Sequence, residues 1–257
     1  MKNRKAELAA LMASETRNAF LLSKFGFKVE SAATYVDART VVRPRTNALL
    51  TSDYYQGLHQ GDEAYQENNW LVSELTPILQ RAQGGTVVEI GCGNGQFSKL
   101  MAGSVQKVHA FDWALSPGMI STPDNVRFHQ GNILQLKLPP VDLACSADVL
   151  EHFTPQDLPG LIAKICSSAM AQYHVVACYD DGHSHLTVMS PAGWLATFWR
   201  FCPDATLLNI DCRRSNPQQL VCTIATTLSN RRHQNTGGSS LAILHEILSK
   251  REKPHQQ

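Results

Sequence analysis

The 257-residue chain has no apolar run approaching the roughly 20 residues needed to span a bilayer, which excludes a helical membrane protein. Its seven cysteines, at positions 92, 145, 166, 178, 202, 212 and 222, form no C-x-x-C pair. Neither a zinc site nor a disulfide framework is therefore expected, and the thiols read as small reduced hydrophobes. No Gly-Lys-Ser/Thr is present to hold a triphosphate. The dinucleotide fingerprint G-x-G-x-x-G also fails, because the position for its third glycine is Gln96. Met1-Lys-Asn-Arg-Lys-Ala-Glu carries charge with no secretory apolar stretch after it, so a cytoplasmic location is expected. Neither sign of charge dominates: the net charge is +1. Its distribution is uneven. Residues 1–50 hold nine Lys/Arg against four Asp/Glu, residues 51–228 hold nine against sixteen, and residues 229–257 hold five against two. An acidic body is unfavourable for a phosphate-lined substrate path, so a nucleic-acid partner is not expected. The basic ends read as solvated termini or a dock for an anionic partner.

What is present begins with Thr86-Val-Val-Glu-Ile-Gly-Cys-Gly-Asn-Gly-Gln-Phe97. The β-branched start reads as a buried strand. Glycines 91, 93 and 95 let the backbone turn sharply and approach a ligand, and helical composition follows from Gln96. Strand, glycine loop and helix make a nucleotide-type cradle. Lys107-Val-His-Ala-Phe-Asp-Trp113 is a second alternating strand, which puts Asp112 17 residues beyond Gly95. A carboxylate there can accept both hydroxyls of a ribose. Trp113 reads as a ring stacked on a base or as a core aromatic. Two further strands follow: 125–131, running into Asn132-Ile133, and 141–147, running into Asp148-Val-Leu-Glu-His-Phe153.

The pattern Glu89-x-Gly91-x-Gly93-x-Gly95, with these segments in this order, resembles class I S-adenosylmethionine-dependent methyltransferases. The resemblance implies an α/β, Rossmann-like fold: a mainly parallel seven-stranded sheet, helices on both faces and an N-terminal extension. It implies S-adenosyl-L-methionine as cofactor, with Glu89, Gly91, Cys92, Gly93, Asn94 and Gly95 at its amino-acid moiety. Asp112 and Trp113 would meet its ribose and base, and Gly131, Asn132, Ile133 and Ala147 would complete the wall. Where the family often has Gly-Asp, this chain has Gly131-Asn132, whose amide oxygen still accepts a hydrogen bond but without charge.

Three units are expected: an N-terminal helical extension or lid over residues 1–83, the catalytic domain over 84–228, and a linker with a short terminal helix over 229–257. Periodicity predicts helices over 6–24, 66–81, 155–170, 190–201 and 241–250, and strands over 172–179, 205–212 and 220–227. Segment 25–50 gives no assignment.

Chemistry in open sheets gathers at the carboxyl ends of the strands. Three clusters can reach that edge. The loop after the fifth strand carries Tyr179, Asp181, His183 and His185; removing a hydroxyl proton near neutral pH suits a histidine, so His183 or His185 is the expected base. Glu151 and His152 follow the fourth strand, with Glu151 a further catalytic candidate. Tyr54, Tyr55 and His59 precede the domain and, with His152, Tyr179 and Asp181, form the expected acceptor wall. The reading adopted has no metal. An alternative places a divalent ion on Asp148, Glu151 and His152, similar to metal-dependent RNA 2′-O- and ubiquinone-pathway methyltransferases. The expected activity is O-methylation of a small polar acceptor such as a saccharide or glycan intermediate. Metal-assisted RNA 2′-O-methylation and a non-catalytic cofactor-binding module are the alternatives. Neither Asn-Pro-Pro-Tyr nor Asp-Pro-Pro-Tyr follows the fourth strand, which disfavours methylation of base amino groups. The oligomeric state is not legible.

Overall fold

The computed structural model describes residues 50–226, apart from 214, 215 and 217. The elements expected over 6–24 and 241–250, segment 25–50 up to residue 49, and the linker lie outside the described residues. One sheet contains β1 (Thr86–Ile90), β2 (Lys107–Asp112), β3 (Val126–Gln130), β4 (Val141–Ala147), β5 (Ala169–Ala177), β6 (Ala205–Cys212) and β7 (Leu220–Thr226). The strand order is β3-β2-β1-β4-β5-β7-β6. The first five strands pair in parallel, and β7 runs antiparallel to both β5 and β6. This is the Rossmann-like methyltransferase topology that the resemblance implied.

Six α-helices accompany the sheet among the described residues: α1 (Ser52–Gly61), α2 (Glu63–Glu67), α3 (Leu75–Ala82), α4 (Gln96–Ala102), α5 (Leu158–Ser168) and α6 (Pro191–Trp199). Successive strand residues face opposite ways, so the sheet feeds two cores. Val88 and Ile90 of β1 pack with Leu161 and Ile165 of α5 and Trp194 and Phe198 of α6. Val87 packs with Ile78 of α3 and Phe97 and Met101 of α4. Near-continuous apolar strands are what a sheet covered on both faces requires. No helix among the described residues is long and apolar enough to cross a membrane.

Local chemistry sets the helix ends. Ser190 caps α6 by accepting from the Gly193 amide at 3.1 Å, with Pro191 in the first turn. The continuous helix expected over 66–81 is broken. Asn69 Oδ1 accepts from the Leu71 amide at 3.1 Å, and Asn94 Nδ2 donates to the carbonyls of Gln66 and Asn68. Those side chains satisfy backbone groups that a continuing helix would use. The helix expected from 155 begins at Leu158, because Thr154 and Asp157 bond each other across the turn. Strand β5 accordingly begins at Ala169 rather than 172 and ends at Ala177.

Strand β1 has β2 on one side and β4 on the other, so the chain order reverses there. A crevice opens at the carboxyl ends of these strands, where open parallel sheets bind ligands.

Candidate active site

The crevice is a cavity of about 560 Å³, in the size range of small-molecule and cofactor sites. Its first half lies at the ends of β1 and β2. Gly91 has φ +70°, and a Cβ there would fall 2.3 Å from Val149 Cγ2. Gly93 has φ +52° and faces open space, with nothing within 4 Å of where its Cβ would stand. The loop is held by Asp112, whose Oδ2 accepts from the Gly93 amide at 2.8 Å and whose Oδ1 accepts from the Ala114 amide at 3.1 Å. Each oxygen keeps lone-pair capacity for a ligand hydroxyl. Burial raises the Asp112 carboxyl above its ordinary range, and the bonds from Gly93 and Ala114 oppose that rise.

Glu89 is fully buried and lines the same space. Its Oε2 accepts from the Ser98 hydroxyl, while Oε1 has no hydrogen-bond partner. Trp113, 39 % exposed, lines the cavity with its ring 6.4 Å from that of Tyr55. Gly131, Asn132, Ile133 and Ala147 line it too. The Asn132 side-chain oxygen Oδ1 already accepts from the Leu134 amide at 3.0 Å. Cys92, Asn94 and Gly95 do not line the cavity. The Cys92 side chain is in the core beside Phe97 and Met101, and burial pushes its thiol up. Asn94 ties the glycine loop to residues 66–69. Gly95 is the left-handed residue before α4.

The second half, at the ends of β4 and β5, is built from side chains. His185 is buried, with Nδ1 2.6 Å from the Tyr179 carbonyl oxygen. Its Nε2 lies 4.0 Å from Glu151 Oε1 and 3.9 Å from Asp181 Oδ2. Glu151 is fully buried; Oε1 accepts from the Ala177 amide at 3.0 Å and Oε2 has no hydrogen-bond partner. Burial, reinforced by Asp148, pushes the Glu151 carboxyl up to about 8. Asp181 accepts from the amides of His183, Ser184 and His185, which shapes the loop. Burial works against the Asp181 charge, but bonds from Ser184, His185 and His183 outweigh it and hold the carboxyl below its ordinary range. His152, through Nδ1, lies 3.1 Å from the Ser184 carbonyl oxygen, and its ring stands 5.1 Å from that of His185.

Of the alternative metal ligands, Glu151 and His152 meet His185, with ligand atoms within 4.8 Å of one another. Asp148 turns elsewhere. It adopts φ +55° and pairs through Oδ2 with Arg213, whose guanidinium lies 4.0 Å from the Trp70 ring centroid.

Helix α1 contributes another wall of the cavity. Tyr54 and Tyr55 line it, and the Tyr54 hydroxyl is 2.7 Å from His183 Nε2. His59 does not line it: the ring is buried against Tyr65 at 4.9 Å, and burial lowers its pKa. Tyr179, Asp181 and Glu151 also stand behind the lining residues. Sequence reasoning missed Arg213 and Gln56. The Gln56 side chain donates to the Leu115 carbonyl at 2.8 Å and accepts from the Leu115 amide at 3.0 Å, pinning α1 to the end of β2. The only sequence signal for Arg213 is a cation near a strand end in an acidic body.

A family model described as a methyltransferase domain matches residues 62–218. No curated protein matches the chain. Among solved structures, the chain resembles 1,6-didemethyltoxoflavin-N1-methyltransferase of Burkholderia thailandensis, bound to 1,6-didemethyltoxoflavin and S-adenosylhomocysteine. Identity is 18 %, covering 75 % of this chain and 98 % of that one, with a TM-score of 0.54. The putative methyltransferase of Haloferax volcanii, in complex with the Trm112 activator, is 15 % identical over 67 % of this chain and 96 % of that one, with a TM-score of 0.53. DhpI in its SAM–HEP complex is 16 % identical over 72 % of this chain and 100 % of that one, with a TM-score of 0.50.

Proposed function

The chain belongs to the methyltransferase domain family, and on that premise we propose that it transfers a methyl group from S-adenosylmethionine to an oxygen of a small polar acceptor, such as a saccharide or glycan intermediate. The bound cofactor supplies an electrophilic methyl group on sulfur. The first half of the cavity fits it. Asp112 has acceptor capacity for two ribose hydroxyls, Gly93 leaves room at the loop, and the unpartnered Glu89 oxygen suits a positive charge.

The observation that carries the acceptor chemistry is the orientation of His185. The bond from Nδ1 to the Tyr179 carbonyl requires the hydrogen on that nitrogen. The Nε2 lone pair is then the one that receives the acceptor's hydroxyl proton as its oxygen takes the methyl group. Asp181, whose carboxyl is held below its ordinary range, lies near enough to stabilise the imidazolium that forms. His183 is engaged with the Tyr54 hydroxyl and serves to hold α1 over the acceptor. Among the described residues lining the cavity there is no lysine or arginine, which supports a neutral polar acceptor over a phosphate-rich one.

One arrangement favours a second reading. Glu151, His152 and His185 offer three ligand atoms to a divalent ion that would chelate neighbouring acceptor oxygens and acidify a hydroxyl. The toxoflavin-type neighbour is named for a nitrogen target, so the test must separate oxygen from nitrogen. Labelled S-adenosylmethionine should be offered with pools of sugars, amines and RNA, with and without a chelator. Label in hydroxyl-bearing small molecules, unchanged by chelation, is expected. Label in amines overturns oxygen, label in RNA at physiological salt overturns the small acceptor, and loss on chelation promotes the metal reading.

A further inference from the structure

The turn that follows β3 is held from behind by one side chain. The amides of Gln135 and Leu136 both donate to the Asn132 carbonyl, at 2.9 and 3.1 Å, so residues 132–136 make a single helical turn. The carbonyls at the far end of such a turn have no partner within it. Lys164, on α5, supplies one. Its Nζ donates to the carbonyls of Ile133 and Leu134 at 2.8 Å each and to that of Leu136 at 3.1 Å. Those three bonds use every hydrogen of the ammonium. Among the described residues no carboxylate pairs with it. Partial burial pulls its pKa below the ordinary range, so the charge stays there against a desolvation cost. A lysine with no other task extends its charge into water.

The front of the same turn is cavity wall. Gly131, Asn132, Ile133 and Leu134 line the cavity, whereas Lys164 does not. The Gly131 amide donates to the Asp112 carbonyl at 2.9 Å, which ties the wall to the end of β2. Behind the turn, α5 is fixed by Leu161, Ile162 and Ile165 in the core. The order β3-β2-β1 sets the wall on the far side of Asp112 from the glycine loop. With the amino-acid end of the cofactor at the glycine loop and its ribose at Asp112, the base falls against the 131–134 wall. We propose that Lys164 is a positioning residue for the base of the cofactor, joining α5 to the turn and fixing the wall on which the base is read. The inference rests on the cofactor reading above. A fixed wall holds its hydrogen-bonding groups in one geometry and rejects a base whose donors and acceptors are exchanged; a loosened wall adapts to either.

The test is calorimetric titration of the full chain with S-adenosylhomocysteine and S-inosylhomocysteine. The two differ only in the base, where inosine exchanges an amino donor for an oxo acceptor and a ring acceptor for an N–H donor. The native protein should bind the first about tenfold more tightly or better. Lys164→Met keeps the apolar stem and removes the ammonium. It should weaken S-adenosylhomocysteine and narrow the gap to about threefold or less. Lys137→Met removes an exposed charge one residue beyond the turn and should keep the native gap. Lys164→Gln, shorter and neutral but polar, gives the same reading should Lys164→Met fail to fold. A native protein with no gap overturns the proposal. So does a folded Lys164 variant that weakens both ligands equally or neither, because fold-wide loosening does not distinguish the bases. A gap narrowed as much by Lys137→Met overturns it too, by making the effect one of charge alone. Failure of the native protein to bind S-adenosylhomocysteine overturns the cofactor reading instead.

Discussion

The half of the cavity at β1 and β2 and the half at β4 and β5 are built from different materials. The first is mostly backbone. Two left-handed glycines shape it, Asp112 is fixed by the Gly93 and Ala114 amides, and the surrounding strand residues are core. The second is mostly side chains: His185 on a loop carbonyl, Glu151 under the Ala177 amide, and Asp148 paired with Arg213 across 65 residues of sequence. Backbone shape suits a ligand common to a whole family. Side-chain placement suits the partner that differs among its members, because it changes by substitution without refolding the sheet.

The comparison predicts that the two halves fail in different ways. The largest effect is expected at His185. If it takes the acceptor's proton, His185→Ala should lower turnover by about 10²–10⁴ while cofactor affinity, measured by calorimetry, persists. His183→Ala, which loses the contact with Tyr54, should cost about tenfold or less and act mainly on acceptor KM. Equal losses at both histidines, or full activity of His185→Ala, would move the base elsewhere and blur the division between the halves.

A smaller effect on turnover, and a larger one on stability, is expected at Arg213. Removing it leaves Asp148 with both oxygens uncompensated in a site where Oδ1 already has no hydrogen-bond partner. Arg213→Met should destabilise the fold by about 3 kcal/mol in denaturant unfolding. Asp148→Asn in the same chain should recover much of that loss, because no charge is then stranded. A non-recovering double variant would mean that stacking on Trp70, rather than the ion pair, is what Arg213 supplies.

The halves also differed in how much of them could be read from sequence. The strands, the glycine loop and Asp112 announce themselves through local signals: β-branched runs, glycine punctuation and a carboxylate at the close of an alternating segment. Those signals located β1, β2, β4, β6 and β7 to within a residue or so. The break between α2 and α3 was invisible because it depends on Asn94, a residue beyond the next strand, reaching back to Gln66 and Asn68. Arg213 and Gln56 were invisible for the same reason: each acts across about 60 residues on a partner that only the folded sheet brings near. Residue type was also an imperfect guide to exposure. His59 resembled an acceptor ligand in sequence, yet α1 turns it inward against Tyr65.

The prediction for Asp112 bears on binding rather than on turnover, and it tests the backbone-built half directly. Asp112 has two tasks, holding the loop through Gly93 and Ala114 and offering its remaining lone pairs to the ligand. Asp112→Ala removes acceptors to two buried hydroxyls, each worth about 1–3 kcal/mol. S-adenosylmethionine affinity should fall at least about tenfold, with maximal turnover changed less than in His185→Ala. Asp112→Asn keeps one acceptor oxygen and most of the shape, so its loss should be intermediate. The loss in Asp112→Ala should be equally large for 5′-methylthioadenosine, which retains the ribose and lacks the amino acid. If 5′-methylthioadenosine bound Asp112→Ala as tightly as the native protein, Asp112 would be a loop brace alone, and the ribose would have to be held by groups farther along the cavity.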